Sequence, residues 1–142
     1  MSSAWGARIL PLLPGNIVAE NLGGGYYQLD FPPITQIAGL VTTDHILPFP
    51  HRIVSLHVKH TDSTGANEST DTLTFAAKFA LRRGIDFTSM ASFSLSTNPD
   101  ESFLFAGDEA ARNACAYEFE TTDVDAGNLV YITMIVRVLG KI

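Results

Sequence analysis

The feature that most constrains this chain is a repeated alternation of apolar and polar residues with a period of two. It is present in the segments YYQLDF, RIVSLHV, TLTFAAKFAL, SFSLS, CAYEFET and NLVYITMIVRV, which turn-forming residues separate. Successive side chains of a β-strand point to opposite faces, so this period indicates strands that each bury one face. The sequence therefore predicts about seven or eight strands in an antiparallel, jelly-roll-like β-sandwich over residues 26–142.

Composition indicates a single domain and limits the kinds of partner that the chain can bind. The chain has 142 residues, of which 46% are hydrophobic and 17% charged, with nine Phe. These values suffice for one core, and a charge-poor surface often lies against another protein. The 15 acidic and 9 basic residues give a net charge of −6, which disfavours nucleic acid as the main partner. Since no run of about 18 apolar residues is present, we expect no membrane partner.

Residues 1–25 are predicted to form an extended N-terminal arm. Pro11 and Pro14 interrupt any helix, and the glycines at 23–25 suggest a flexible joint. The arm is nevertheless apolar, so it either folds back on its own domain or binds another subunit, and both alternatives stay open. The same prolines argue against a signal peptide, which favours synthesis and first folding in a cytoplasm. The residues predicted to bind a partner are Trp5, Ile9, Leu10, Leu12 and Leu13.

The last strand is unusual because both of its faces carry apolar residues. One face holds Val130, Ile132, Met134, Val136 and Val138, and the other holds Leu129, Tyr131, Thr133, Ile135 and Arg137. A strand that is wet on one side should alternate more cleanly, so the arm or another subunit should cover the second face. Small outward residues in TFAAKFAL and SFSLS also suit close approach of another surface. The predicted self-association residues are Ala76, Ala80, Tyr131, Ile135 and Arg137.

The segment DVDAGN before the last strand is the most motif-like stretch of the chain. An EF-hand loop starting at Asp123 would need an acidic ligand where Met134 stands, so that interpretation fails. Asp, Gly and Asn tolerate turn dihedrals, and we expect a turn here. A looser calcium site with ligands from other loops is the alternative.

The histidines suggest no strong metal site. In a regular strand, His57 and His60 point to opposite faces because their spacing is odd. A site from Asp44, His45 and His51 is conceivable within the Pro-rich connection, although ordinary loop roles are the simpler expectation. The single cysteine, Cys115, cannot form an internal disulfide and is expected in the core. We predict neither a metal nor another cofactor.

No motif indicates catalysis. The chain lacks G-x-S-x-G, Walker A, G-x-G-x-x-G and H-E-x-x-H patterns. Glu118 and Glu120 share a strand face and could serve as acid and base, as in glycosidases, but a solvated strand face is the simpler interpretation. The prediction is a non-enzymatic protein. A second hypothesis is a jelly-roll carbohydrate-binding module that uses Tyr26, Tyr27 and the loop 62–71.

The closing segment TTDVDAGNLVYITMIVRV and the earlier HRIVSLHVKHTDSTGANESTDTLTFAAKFALRRG resemble small β-sandwich virion structural proteins of tailed bacteriophages. The resemblance covers residues 50–140 as a pattern of strands and turns. It implies a capsid decoration (cement) or fibre protein, trimeric, assembled in the host cytoplasm and located on the virion. It also implies that the arm grips the major capsid protein or another virion protein. A tail or fibre receptor-binding module is the alternative, and the position on head or tail stays open.

Overall fold

The computed structural model describes residues 16–62, 64, 73–80, 88–94, 100–104, 111–112, 115–123 and 126–139. All regular structure in these residues is β-strand, which confirms the predicted all-β class. The strands are β1 (Val18–Gly23), β2 (Tyr26–Asp30), β3 (Ile34–Thr35), β4 (Gly39–Leu47), β5 (His51–Thr61), β6 (Thr74–Ala80), β7 (Thr88–Ser94), β8 (Asp100–Leu104), β9 (Ala111–Arg112), β10 (Cys115–Asp123) and β11 (Leu129–Val138).

The strands form two antiparallel sheets with jelly-roll connectivity. Sheet A has the order β1-β2-β11-β5-β8, with β3 also paired to β11 and β9 also paired to β5. Sheet B has the order β4-β10-β6-β7. Apart from the added β1, each sheet contributes four main strands, and the chain crosses between the sheets as two interlocked Greek keys require. The predicted jelly-roll sandwich is thus confirmed.

The core lies between the two sheets and is filled by the inward half of each alternation. Leu29, Leu56 and Met134 from sheet A and Phe119 from sheet B are fully buried. Phe31, at the end of β2, packs edge-on against Phe119 with ring centroids 5.0 Å apart, which places β2 across the core from β10. Each such side chain contributes about 1.5–3 kcal/mol through burial.

A bulge in β5 changes which of its residues face the core. The register with β11 shifts between Ile135 and Val136, whose partners are Ser55 and Ile53. Val54 is therefore the extra residue and is half-buried, whereas Ile53 is fully buried. A strict period of two in RIVSLHV would put Val54 on the same face as Leu56 and Val58, and the bulge breaks that period.

The segment between β2 and β5, for which the sequence predicts a long connection with room for one short strand or turn, contains the nine-residue strand β4. Its inward positions include the polar residues Thr43 and His45, the second of which is buried. Because these inward positions are polar, the sequence of β4 does not alternate between apolar and polar residues, and its full length could not be predicted.

The N-terminal end of the sheet lies earlier than residue 26. Val18–Gly23 pairs antiparallel with β2, and Ile17 is buried in the core. Gly23, Gly24 and Gly25 have φ angles of 91°, 63° and 86°, so they form the hairpin turn rather than a flexible joint. Residues 16–25 of the predicted arm therefore belong to the sandwich. The arm residues Trp5, Ile9, Leu10, Leu12 and Leu13 lie outside the described residues.

The end of DVDAGN is a turn, as predicted. Gly127 has a φ angle of 95°, and its N–H donates to the carbonyl of Gln36 at 2.7 Å, while the Gln36 N–H donates to Asn128 at 2.8 Å. The buried Gln36 amide donates to the carbonyls of Ile37 and Gly39 at 2.9 and 2.8 Å. It also accepts a 2.5 Å bond from the Thr121 hydroxyl. Gln36 thus links the β3–β4 connection to the β10–β11 connection through its backbone and to β10 through its side chain.

Candidate functional site: the two outer sheet faces

The outer surface of sheet A, here called face A, is centred on β11. Its members are the outward residues of three neighbouring strands in register. They are Tyr26, Gln28 and Asp30 on β2, Arg52, Ser55, His57 and Lys59 on β5, and Tyr131, Thr133, Ile135 and Arg137 on β11.

Contacts between side chains of β2 and β11 order two parts of face A. The Thr133 hydroxyl donates to Asp30 Oδ1 at 2.9 Å, and Gln28 Nε2 donates to the same oxygen at 3.3 Å. The Arg137 guanidinium lies over the Tyr26 ring, 5.7 Å from its centroid, in a cation–π arrangement.

The apolar part of face A is open to solvent. Tyr131 is 38% exposed and Ile135 is half-buried, although both belong to a strand with neighbours on either side. The predicted self-association residues Tyr131, Ile135 and Arg137 therefore lie on one face at two-residue and four-residue steps. Residues 16–25 cover none of them, since β1 extends the edge of the sheet rather than crossing its face.

The outer surface of sheet B, here called face B, combines a depression with a row of charges. Its members are Thr42, Asp44, Thr74, Ala76, Lys78, Ser92, Ser94, Glu118, Glu120 and Thr122. The depression has a volume of about 350 Å³ and is lined by Thr74, Phe75, Ala76, Ser92, Ser94, Glu120 and Thr122. Small side chains on β6 and β7, those of Ala76, Ser92 and Ser94, lie on one side of it, and the longer Glu120 of the neighbouring strand β10 lies on the other.

Carboxylates outnumber cations on face B. Lys78 donates to Glu120 at 2.9 Å and lies 4.0 Å from Glu118, and the bond to Glu120 raises the pKa of Lys78. Burial raises the pKa of the Glu118 carboxyl, and its hydrogen bond with Glu120 and the charge of Asp44 raise it further. Among the described side chains of face B, Lys78 is the single cation beside three acids.

The structure separates the predicted self-association residues into two groups. Ala76 is half-buried on face B, whereas Tyr131, Ile135 and Arg137 lie on face A of the other sheet. Ala80 is the last residue of β6 and pairs with Ala116, and its side chain is not among those that the structure describes. The two groups point away from each other in one molecule, so they could meet only between two molecules.

The alternative metal site of Asp44, His45 and His51 does not assemble among the described residues. His45 is buried between the rings of Phe31 and Phe119, with centroids at 4.9 and 5.6 Å, while the neighbouring Asp44 is exposed on the opposite side of β4. Burial lowers the pKa of His45. His57 and His60 do lie on opposite faces, as predicted, since His60 is buried and His57 is half-buried. Within the described ranges, no three His, Cys, Asp or Glu residues could hold a metal ion.

His51 links the two sheets through the core. Its Nδ1 lies 2.8 Å from the carbonyl oxygen of Phe49, which only accepts, so Nδ1 carries the proton. Nε2 therefore accepts from the Tyr117 hydroxyl of β10. Both residues are fully buried, which makes the pair a structural bridge. The sequence contains no local signal for it, because 66 residues separate the partners.

The predicted sugar-stacking residues fall into different environments. Tyr27 is 1% exposed and packs in the core, so its assignment to a binding surface was wrong. The alternation of YYQLDF makes one of the two tyrosines face inward, and the structure selects Tyr27. Tyr26 is exposed beneath Arg137. Most of the loop 62–71 lies outside the described residues.

Comparisons with known proteins give structural similarity without a family. No family model and no curated protein matches the chain. It is similar to the solved structure of a family 29 carbohydrate-binding module, with 10% identity, 89% of this chain and 81% of the other covered, and a TM-score of 0.41. It is also similar to TmCBM61, solved in complex with β-1,4-galactotriose, with 8% identity, 93% and 95% covered, and a TM-score of 0.38.

A viral particle is also among the similar structures. For the Cowpea mosaic virus top component, a naturally occurring empty particle, the identity is 11%, the coverage 65% of this chain and 59% of the other, and the TM-score 0.36. These TM-scores are low, so a function has to be inferred from the surfaces of this chain itself. In the described part of the chain, no helix is long and apolar enough to cross a membrane.

Proposed function

We propose that this chain is a non-enzymatic structural protein of a virion, a jelly-roll module that self-associates, as a trimer by preference, and attaches to the capsid shell. The observation that carries the proposal is the outward exposure of Tyr131 and Ile135 on the central strand of sheet A. A central strand of a solitary sandwich has its outer face in water, where apolar residues gain nothing. Contact with another protein gives these residues a role.

The charged residues of face B support a structural role over a catalytic one. Glu118 and Glu120 lie on one face, as the glycosidase hypothesis requires, but Lys78 pairs with Glu120 and lies close to Glu118. A general acid and base act on a substrate that lies between them. Here the two carboxyl groups belong to one strand, hydrogen-bond to each other and share one cation.

Attachment to the shell is assigned to residues 1–15, which precede β1 at the edge of sheet A. Each Leu or Ile of this segment that is fully buried on a shell protein would contribute about 1.5–3 kcal/mol before ordering costs. Several copies in one oligomer would bind together and add avidity. The segment therefore needs only modest affinity per copy.

The test is the native mass of the full chain and of a chain that starts at residue 16, measured by light scattering after gel filtration. This boundary keeps β1, whose removal would open the edge of sheet A. We expect a trimer in both cases, and co-sedimentation with empty phage heads for the full chain alone. Monomers at every concentration, or equal sedimentation of both chains, would contradict the proposal.

A carbohydrate-binding or receptor-binding module is the second candidate, favoured by the depression on face B. Hydroxyls of Thr74, Ser92, Ser94 and Thr122 and the carboxylate of Glu120 line it, and such groups can bond to a polyol. A glycan array followed by titration tests this candidate. Saturable binding that Ala76→Arg abolishes would favour it over the structural proposal.

A further inference from the structure

The two outer faces are complementary in shape. Face A presents the large side chain of Tyr131, 38% exposed, in the end row of its central strand, whereas face B offers a depression whose lining includes Ala76 and Ser92. An aromatic side chain buries about 150–250 Å² when fully enclosed. The depression, at about 350 Å³, has room for one tyrosine side chain with part of its surroundings.

The faces are also complementary in charge at the matching places. Lys59 is the direct cross-strand partner of Tyr131, so it stands within about 5 Å of that residue on face A. Asp100 is the register partner of Lys59 on its other side. On face B, Glu120 lines the depression and Glu118 and Asp44 occupy the next row. If Tyr131 entered the depression, Lys59 would approach Glu120, Glu118 and Asp44. These three acids have a single cation, Lys78, beside them on face B.

We propose that face A of one copy docks on face B of the next copy, with Tyr131 seated in the depression and Lys59 directed towards Glu120. This inference rests on the proposed self-association and specifies its geometry. The occupant of each face is a second copy of this chain, since both halves of the contact, Tyr131 with Lys59 and the depression with its acids, are present in every molecule.

A contact between two different faces is heterologous, and this limits the symmetry. Such a contact repeats from copy to copy and closes into a ring when the rotation permits, or otherwise continues as a filament. A twofold dimer would instead bring face A against face A. That arrangement would bring together two faces on which the cations Arg52, Lys59 and Arg137 of β5 and β11 outnumber Asp30 of β2, and like charges disfavour such a contact.

Two variants disable one face each. Tyr131→Asp removes the projecting side chain and adds an acid that faces acids. Ala76→Arg fills the depression. Tyrosine anchors in interfaces are commonly worth 2 kcal/mol or more, so each variant should raise the dissociation constant by about 30-fold or more. Matched controls are Ile37→Asp, which replaces an apolar residue that is 57% exposed, and Ala38→Arg on the same connection.

Mixing the two disabled variants tests the heterologous geometry directly. Each variant alone should be a monomer by native mass. An equimolar mixture should give a species of two chains and nothing larger, because the intact face B of one variant can bind the intact face A of the other, while the two disabled faces terminate growth. Circular dichroism and thermal melting would establish that all variants fold.

The outcomes separate this inference from the proposed function. If Tyr131→Asp dissociates the oligomer and Ala76→Arg does not, face A binds a surface other than face B, and the inference is wrong while self-association stands. If neither variant changes the mass of an existing oligomer, another surface such as residues 1–15 makes the contact, and the inference is wrong again. If the unaltered protein is a monomer, the proposed self-association fails together with it.

Discussion

Face A and face B belong to one sandwich and are built by the same antiparallel pairing, yet they differ in size and charge. Face A carries long side chains that contact each other, such as Arg137 over Tyr26 and Thr133 bonded to Asp30. Face B carries small residues and a row of acids around Lys78. Both faces are the outer sides of paired antiparallel strands, so the difference between them lies in the side chains.

The largest difference in stability should appear when the same substitution is made at two neighbouring positions of β6, one in the core and one on face B. Ala77 is fully buried and Ala76 is half-buried on face B. Ala77→Leu overfills the core and should cost about 1–3 kcal/mol of unfolding free energy. Ala76→Leu should stay within about 0.5 kcal/mol of the parent in the monomer. Urea unfolding measures both, and similar losses would mean that face B is packed like the core.

The layer between the faces should respond to acid through His45. Its pKa is lowered from 6.5 by burial, with Asp44 opposing the shift. Below pH about 6.5 the unfolded chain binds a proton that the folded chain does not, so stability should fall as pH decreases from there to the folded pKa. His45→Phe should remove this part of the pH dependence. Melting temperatures measured across that range check it, and an unchanged acid slope would contradict it.

On face A, the bond between Thr133 and Asp30 should contribute measurably to stability. Thr133→Val keeps the shape and removes the donor, which should cost about 1 kcal/mol. Thr122→Val on face B is the matched control, since Thr122 is exposed there. Equal losses in the two variants, by chemical denaturation, would show that the contact on face A adds nothing.

On face B, removing the charge of Glu118 should have the smallest effect, a slight increase in stability. The pKa of Glu118 is raised in the folded state, so its ionised form is disfavoured there, and stability declines as pH rises from about 4.5 through the folded pKa. Glu118→Gln should therefore melt slightly higher at neutral pH, with the difference shrinking on acidification. A variant that melts lower at neutral pH would mean that Lys78 outweighs the crowding of acids.

Local pattern was sufficient to predict most strands and the residues that share a face. The alternation in NLVYITMIVRV placed Tyr131, Ile135 and Arg137 on one side of β11, and the structure agrees. It was not sufficient for β4, whose inward Thr43 and His45 hide the period, or for the bulge at Val54, which depends on the register of a partner strand.

The candidate site depends on pairing between distant segments. The sequence grouped Ala76 with Tyr131 because both point outward. Only the strand order shows that β6 and β11 belong to different sheets. The depression likewise needs β6, β7 and β10 side by side, and the acid row needs Asp44 of β4 beside Glu118. These neighbours are set by topology, which no short stretch of residues encodes.

The bond between His51 and Tyr117 offers a spectroscopic reporter of the whole sandwich. The phenolic proton of Tyr117, bonded to His51 Nε2 between the two sheets and shielded from water, should exchange slowly enough to be seen by proton NMR. This signal requires the sheets to stay at their packed separation, because the two residues belong to different sheets. Its loss during gentle heating, before the amide protons of β5 and β10 exchange, would reveal the sheets parting while their strands remain paired.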